Sequence, residues 1–361
     1  MRIILSLISL LVATVAFGNE RSNEELIRRT AEVARQRKIP LIQVAYRTPE
    51  RHLFFESSQV DEIKANPEAQ TIFQAASISK VVFSYIVLRL VDRGVIDLDR
   101  PLYKYMGRKP EARFCNAFES RAENRENIRR AKMLTARIVL NHRTGLPNWA
   151  KGTGPRSQRP LIFKCEPGEK YTYSGEGIAY LQRVVEHLTG MTLEELARRE
   201  VFDPLGMDNT SYRWLPQYNK MAAYGYDKNG VRRGRGSTKV AGDAAYSMRT
   251  NVRDFSLFLD ALMEGKGLTP ESFKMMTSSL MPAPDEETCF GLGILVTKNP
   301  DSPRDEVWHH GGANPNFRCR FMLFPKRKSY LIFFTNSVHG AGKTRRMMLD
   351  TFYPDYQGVF F

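Results

Sequence analysis

Runs of residues able to form buried strands lie near both ends of this chain and scarcely between them, so any sheet must be assembled from the two termini around a helical middle. Early in the chain, Leu41 to Tyr46 and His52 to Glu56 read as strands. Late in the chain, Leu292 to Val296, Val307 to His310, Arg318 to Phe324 and Tyr330 to Thr335 do so, joined by short polar turns such as Pro325-Lys326-Arg327-Lys328. Between them, Leu134 to Leu140 and Ile178 to Leu188 are helical stretches, and Thr192 to Glu200 opens with the capping pair Thr192-x-x-Glu195. The segment Gly107 to Lys132 is highly charged and reads as a solvated helical or irregular insertion. The expected fold class is therefore α+β: an antiparallel sheet built from both chain ends, flanked by helices, with an inserted all-helical lobe. The sheet lobe takes about 19–96 and 239–361, and the helical lobe about 97–238. With 361 residues, 42% hydrophobic and 26% charged, the chain can bury a large core. A site is expected at the seam between the lobes.

Residues 1–18 stand apart from this pattern. Arg2 precedes an apolar run from Ile3 to Val15, and Ala16-Phe17-Gly18 supplies small residues where a signal peptidase cuts. The expectation is a cleavable leader and a periplasmic or secreted product with no stable membrane span. In an oxidising compartment Cys115, Cys165, Cys289 and Cys319 allow three pairings, and Cys115–Cys165 with Cys289–Cys319 keeps each bridge within one lobe. No C-x-x-C spacing is present and the six histidines are scattered apart from His309-His310, so neither a metal nor another cofactor is expected. A net charge of +15 draws a protein toward anionic polymers. Export and the scatter of basic residues in loops such as Arg232-Arg233-Gly234-Arg235 argue against a nucleic-acid partner.

Chemistry enters at Ser77-Ile78-Ser79-Lys80, ahead of the apolar series Val81, Val82, Phe83, Ile86, Val87, Leu90 and Val91. If the helix opens at Ser77, residues three apart share a face and the Lys80 amine reaches Ser77 Oγ. A serine hydroxyl becomes a competent nucleophile when a neighbouring base takes its proton. The Ser77 amide, at a helix start, is available to an oxyanion. Alone, such a tetrad is expected about once by chance in a chain of this length.

Further motifs follow in order. Leu140-Asn141-His142-Arg143-Thr144-Gly145-Leu146-Pro147 comes first, then Pro167-Gly168 leading to Tyr173-Ser174, then Trp308-His309-His310-Gly311-Gly312-Ala313. Together with Phe73 to Lys80, this series resembles the serine β-lactamase and penicillin-binding-protein superfamily, in its class C, D-peptidase and esterase branch. The resemblance covers roughly Phe73 to Asn336 and implies a β-lactamase/transpeptidase-like fold. It implies that Ser77 forms an acyl-enzyme, that Lys80 and Tyr173 share the proton transfers, and that His310 stands in the third motif. The backbone N–H groups of Ser77 and Ala313 would form the oxyanion hole. Gly175, Gly311, Gly312 and Arg318 fall at substrate-binding positions, with Arg320 a second source of charge for a carboxylate. His142 is expected to be structural, and His309 to face away from the site.

Two positions depart from the family pattern. Gly175 stands where the second motif ends in asparagine, and His310-Gly311 replaces its Lys-Thr pair. Both changes remove side chains that bind acylamino substrates or carboxylates. The resemblance implies an exported serine hydrolase acting on a D-amino-acid peptide, such as a D-alanyl-D-alanine carboxypeptidase or D-aminopeptidase substrate, or on a small ester. The alternatives are a β-lactamase, or a catalytically silent homologue that binds peptidoglycan. The expected partner is a small-molecule or peptide substrate, with peptidoglycan as one source. No G-x-S-x-G elbow exists, which excludes an ordinary α/β-hydrolase.

Overall fold

The computed structural model describes residues 21–107, 112–114, 120–236, 238, 241–278, 281–282, 288–299 and 301–358. The leader assigned to 1–18 and the Cys115 half of the first expected disulfide lie outside these residues. Helix α1 (Asn23–Gln36) starts at Ser22, whose side chain accepts the Glu25 N–H at 3.2 Å. It buries Leu26, Thr30, Val33 and Ala34, an i, i+4, i+7, i+8 stripe on one face. The hairpin of β1 (Leu41–Thr48) and β2 (Arg51–Ser58) follows, then a short β3 (Phe73–Gln74) and helix α2 (Ser79–Asp92).

The middle of the chain carries α3 (Arg121–Ala131), α4 (Ala136–Leu140), α5 (Gly175–Thr189), α6 (Leu193–Ala197), α7 (Asp203–Leu205) and α8 (Tyr218–Met221). Thr192 and Glu195 form a full capping box at the start of α6. The charged segment is helical over Arg121–Ala131, most of it exposed or half-buried, and it is anchored at a few points. Phe114, Asn127 and Ala131 are buried, and the Asn127 carboxamide donates to the carbonyls of Phe114 at 2.8 Å and Leu161 at 2.7 Å. A few well-spaced residues suffice to fix such a segment while its other faces stay charged.

After β4 (Arg249–Thr250), which pairs with β3, come α9 (Val252–Glu264) and α10 (Pro270–Thr277). Six strands then complete the sheet: β5 (Met281–Pro282), β6 (Thr288–Phe290), β7 (Leu295–Thr297), β8 (Val307–Asn314), β9 (Phe317–Phe324) and β10 (Ser329–Thr335). The chain closes on α11 (Lys343–Phe352). The sheet has eight strands in the order β2-β1-β10-β9-β8-β7-β6-β5, antiparallel throughout, so β1 from the start of the chain pairs with β10 from its end. Sequence pattern places a strand over Leu292–Val296, but the strand begins at Leu295, because Gly293 adopts φ +94 to turn over Ser84. The short β5 and β6 carry too little alternation to be read in advance.

Both faces of the sheet are covered. Tyr330, Ile332 and Phe334 of β10 join the large core with α2, α5 and α9, while Leu331 and Phe333 pack with α1 and α11 on the other face. This explains why β10 reads as an unbroken apolar run.

The expected Cys289–Cys319 disulfide is absent, and both thiols are free. Cys289 lies on β6 and Cys319 on β9, with β7 and β8 between them. Three strand spacings amount to about 14 Å, twice the roughly 7 Å limit for bridged Cα atoms. Cys165 also carries a free, buried thiol. No helix among the described residues is long and apolar enough to cross a membrane.

Phe334 is fully buried and stacks on Phe73 at 5.9 Å, just behind the Ser77 turn. Phe334→Ala is expected to lower unfolding free energy by about 3–5 kcal/mol, read from a urea titration. A loss below about 1 kcal/mol would show that the two chain ends are not locked together through this core.

Candidate active site

The α-helix begins at Ser79 and not at Ser77, which rides on a single 3-10 turn, Ala76–Ile78. Ala76 adopts φ +47, a left-handed conformation rare for a residue with a side chain and costing about 1–3 kcal/mol. The turn is held from two directions. Ala75 N–H donates to Met248 O at 2.9 Å, and Met248 N–H donates to Ser79 Oγ at 3.1 Å. On the other side β8 lies so close that a Cβ at Gly312 would stand 2.4 Å from Cys319 Sγ and 2.5 Å from Ala75 O. Cys319 itself donates to Ala75 O at 3.1 Å.

Lys80 points from the first turn of α2 toward Ser77, with Nζ 3.2 Å from Oγ. Its amine is 1% exposed and donates to Ala245 O at 2.6 Å. Burial brings its pKa down to about 7, with Arg156 pushing further down and Asp243 pulling back. A neutral amine bonded to Ala245 O keeps its lone pair for the Ser77 proton. Asp243 also builds the loop that presents this carbonyl, because Oδ1 accepts the Ala245 N–H at 2.9 Å.

Tyr173 stands in the segment leading to α5, lining the same cleft as Ser77, with its ring centroid 4.9 Å from Lys80 Nζ. Burial raises its pKa above the usual phenol range, with the nearby Ser77 hydroxyl pulling the other way, so the phenol stays protonated and can give a proton. Behind it, His142 Nδ1 accepts the Ser174 N–H at 3.2 Å and the imidazole lies 4.3 Å from the Tyr173 ring. Burial and the nearby Lys80 hold His142 neutral, so its role is to position Tyr173 and Ser174.

His310 on β8 is 3% exposed, with Nδ1 2.7 Å from Gly311 O. Burial, then Lys80, bring its pKa to about 3, so Nδ1 carries the proton donated to that carbonyl and Nε2 keeps a lone pair. His309 occupies the other face of β8, where Thr297 Oγ1 and an Arg320 guanidinium nitrogen meet its two ring nitrogens at 2.9 and 2.8 Å.

Ser77, Tyr173, His310, Gly311, Gly312, Ala313, Arg318 and Arg320 all line one cleft of about 480 Å³, with Lys80 behind Ser77. Gly175 does not line it. That residue is buried, and a Cβ there would lie 2.7 Å from the Trp149 indole and 2.9 Å from Asn148 O. Arg318 is tied down by the carbonyls of Asn314 and Phe317 at 2.6 and 2.7 Å. Sequence reasoning passed over Asn148, Tyr171, Phe290 and Arg345, which also line the cleft. Asn148 was within reach, since it directly follows the His142-to-Pro147 motif. The Asp243–Ala245 loop carries no pattern that would mark it.

Of the groups around Ser77, Lys80 alone has a pKa brought close to neutrality. Because its neutral form is the base, acylation is expected to rise about tenfold per pH unit below pH ~7 and to level off above it. A flat kcat/KM profile from about pH 5 to about pH 8 would contradict this assignment. Gly312→Ala is expected to cut the acylation rate about 10²-fold by driving β8 off the Ser77 turn, as measured by stopped-flow with an activated ester.

The Beta-lactamase family model matches residues 25–349. A lovastatin esterase of Penicillium rubens is 25% identical over 169 residues, 41% of each chain. Penicillin-binding protein 4* of Bacillus subtilis is 21% identical over 318 residues, 78% of this chain and 64% of that protein. The matches to these relatives thus span less than two thirds of their own length. Among solved structures, a D-stereospecific amidohydrolase from Streptomyces sp. superimposes with TM-score 0.74 at 18% identity, covering 92% of this chain and 99% of that one. A D-amino acid amidase from Ochrobactrum anthropi gives 0.73 at 22% identity, covering 91% and 98%. The strand order and the ordered Ser77, Tyr173 and His310 motifs agree with this match, and the chain belongs to the Beta-lactamase family.

Proposed function

We propose that this protein is a serine hydrolase that passes the acyl group of an ester or amide through Ser77 to water. The observation that carries the proposal is the pairing of Ser77 Oγ with a buried Lys80 amine at 3.2 Å whose pKa lies at about 7. Ser77 Oγ attacks the carbonyl carbon while Lys80 takes its proton. The backbone N–H groups of Ser77 and Ala313, on facing walls of the cleft, receive the oxyanion. The bond from carbon to the leaving nitrogen or oxygen then breaks, and the leaving group takes a proton relayed from Lys80 through Tyr173. Water attacks the acyl-enzyme with the same groups in reverse, freeing the acid and restoring Ser77.

D-amino-acid amides and peptides and small esters are the proposed substrates. Support comes from the names of similar proteins, an esterase among the relatives and two enzymes acting on D-stereospecific or D-amino acid amides among the structures. β-Lactams rank lower, because neither Gly175 nor Gly311 offers a side chain to hold them.

Ser77→Ala is expected to lower kcat by about 10⁴ or more on whichever substrate of a panel of p-nitrophenyl esters, D-alanine amide, D-alanyl-D-alanine peptides and nitrocefin is turned over. Retention of full activity would remove Ser77 from the mechanism. Faster turnover of nitrocefin than of the esters and amides would move the substrate assignment to β-lactams.

A further inference from the structure

Charges of alternating sign run from Arg113 to the Lys80 amine. Arg113 donates to Glu176 Oε2 at 3.0 Å, and the other oxygen of Glu176, a fully buried residue at the second position of α5, lies 3.7 Å from Arg156 Nε. Arg156 in turn donates to Asp243 Oδ2. Asp243 Oδ1 accepts the Ala245 N–H at 2.9 Å, and the Ala245 carbonyl accepts from Lys80 Nζ at 2.6 Å. Arg156 rides on the 3-10 turn Arg156–Gln158, with its guanidinium 4.7 Å from the Trp149 ring centroid and 5.8 Å from that of Tyr246. One arginine therefore joins the start of α5, the Trp149 loop and the Asp243–Ala245 loop. It does not line the cleft, so it can act on the reaction only through what it holds.

The other titratable groups that face Lys80 show why this matters. Tyr173 approaches it from the segment before α5, His142 from the turn after α4, His310 from β8, and Asp243 and Arg156 from their two loops. The phenol stays protonated and both imidazoles stay neutral around pH ~7, so among these groups the charges beside the amine are those of Arg156 and Asp243. The two oppose each other at Lys80. Asp243 is buried, and water screens a buried charge weakly. Without its arginine, that carboxylate would favour the ammonium form of Lys80, which has no lone pair for the Ser77 proton.

We propose that Arg156 is a positioning residue for the reaction: by pairing with Asp243 it lets that carboxylate shape the Ala245 carbonyl while cancelling its charge, so that Lys80 is held in place yet remains a base at neutral pH. The inference rests on the Ser77 acyl-enzyme reading, with Lys80 as the base. It gives a single carboxylate a structural task and removes the electrostatic penalty of that task from a neighbouring loop.

The test is the pH profile of kcat/KM for p-nitrophenyl acetate from about pH 5 to about pH 9, with the midpoint of its rise as the readout. That midpoint does not depend on the fraction of folded enzyme, and a loss of packing alone would lower the whole profile without moving it. Arg156→Gln leaves Asp243 uncompensated and is expected to move the midpoint up by about one pH unit, so that at pH ~6 the rate relative to the variant's own plateau falls about tenfold. Arg156→Lys keeps the charge and is expected to bring the midpoint back toward the wild-type value. Asp243→Asn keeps an acceptor for the Ala245 N–H, leaves Arg156 untouched and is expected to move the midpoint down. The double variant Arg156→Gln with Asp243→Asn should fall between the two single ones. An unmoved midpoint in either Arg156→Gln or Asp243→Asn, or a shift in the opposite direction, would overturn the proposal. If the wild type shows no turnover and no acylation of Ser77, the hydrolase reading fails instead; if it turns over the ester with a flat profile, the assignment of Lys80 as the base fails.

Discussion

The site depends on how closely β8 can lie against the turn that carries Ser77. With any side chain at 312, a carbon would stand 2.4 Å from Cys319 Sγ and 2.5 Å from Ala75 O, well inside contact distance. Because there is none, the strand bearing His310 and Ala313 closes one wall of the cleft while the Ser77 turn forms the other. The cost of holding Ala76 in a left-handed conformation is offset by hydrogen bonds from both flanks, Met248 on one side and Cys319 on the other. Ser77 is thus fixed by packing and backbone hydrogen bonds.

Burial then does the electrostatic work. Lys80 is taken from water by α2, whose residues from Ser79 to Leu88 are all buried. An ammonium there is disfavoured, and the amine becomes a base close to neutral pH. The same burial holds His142 and His310 neutral and Tyr173 protonated, so Lys80 is the one of the four whose charge changes near neutral pH. The Arg156–Asp243 pair sits just outside, adjusting Lys80 in opposite directions while Asp243 shapes the Ala245 carbonyl that holds it.

Much of this was legible in the chain. Apolar runs at the two ends announced a sheet shared by the termini, and β1 does pair with β10. Ser77, Lys80, Tyr173 and His310 come together although about 230 residues separate the first from the last. Other features were hidden for physical reasons. The Cys289–Cys319 pairing looked natural by lobe, but strand order, which no local pattern encodes, sets the two thiols three strands apart. The start of α2 was misplaced by two residues because a 3-10 turn and an α-helix share their first-turn preferences. Gly175 looked like a missing contact, whereas the structure shows its space occupied by Trp149 and its N–H held by Asn148. Such an exchange between loops leaves no signature in spacing.

The account stands on Ser77 as a nucleophile activated by neutral Lys80. Its most direct test is peptide-mapping mass spectrometry after brief treatment with a fluorophosphonate at pH ~8, run on the wild type and on Lys80→Met. The account predicts a phosphonyl adduct on Ser77 in the wild type and little or none in the variant. Absence of the wild-type adduct, or equal labelling of Ser77 in both proteins, would contradict it.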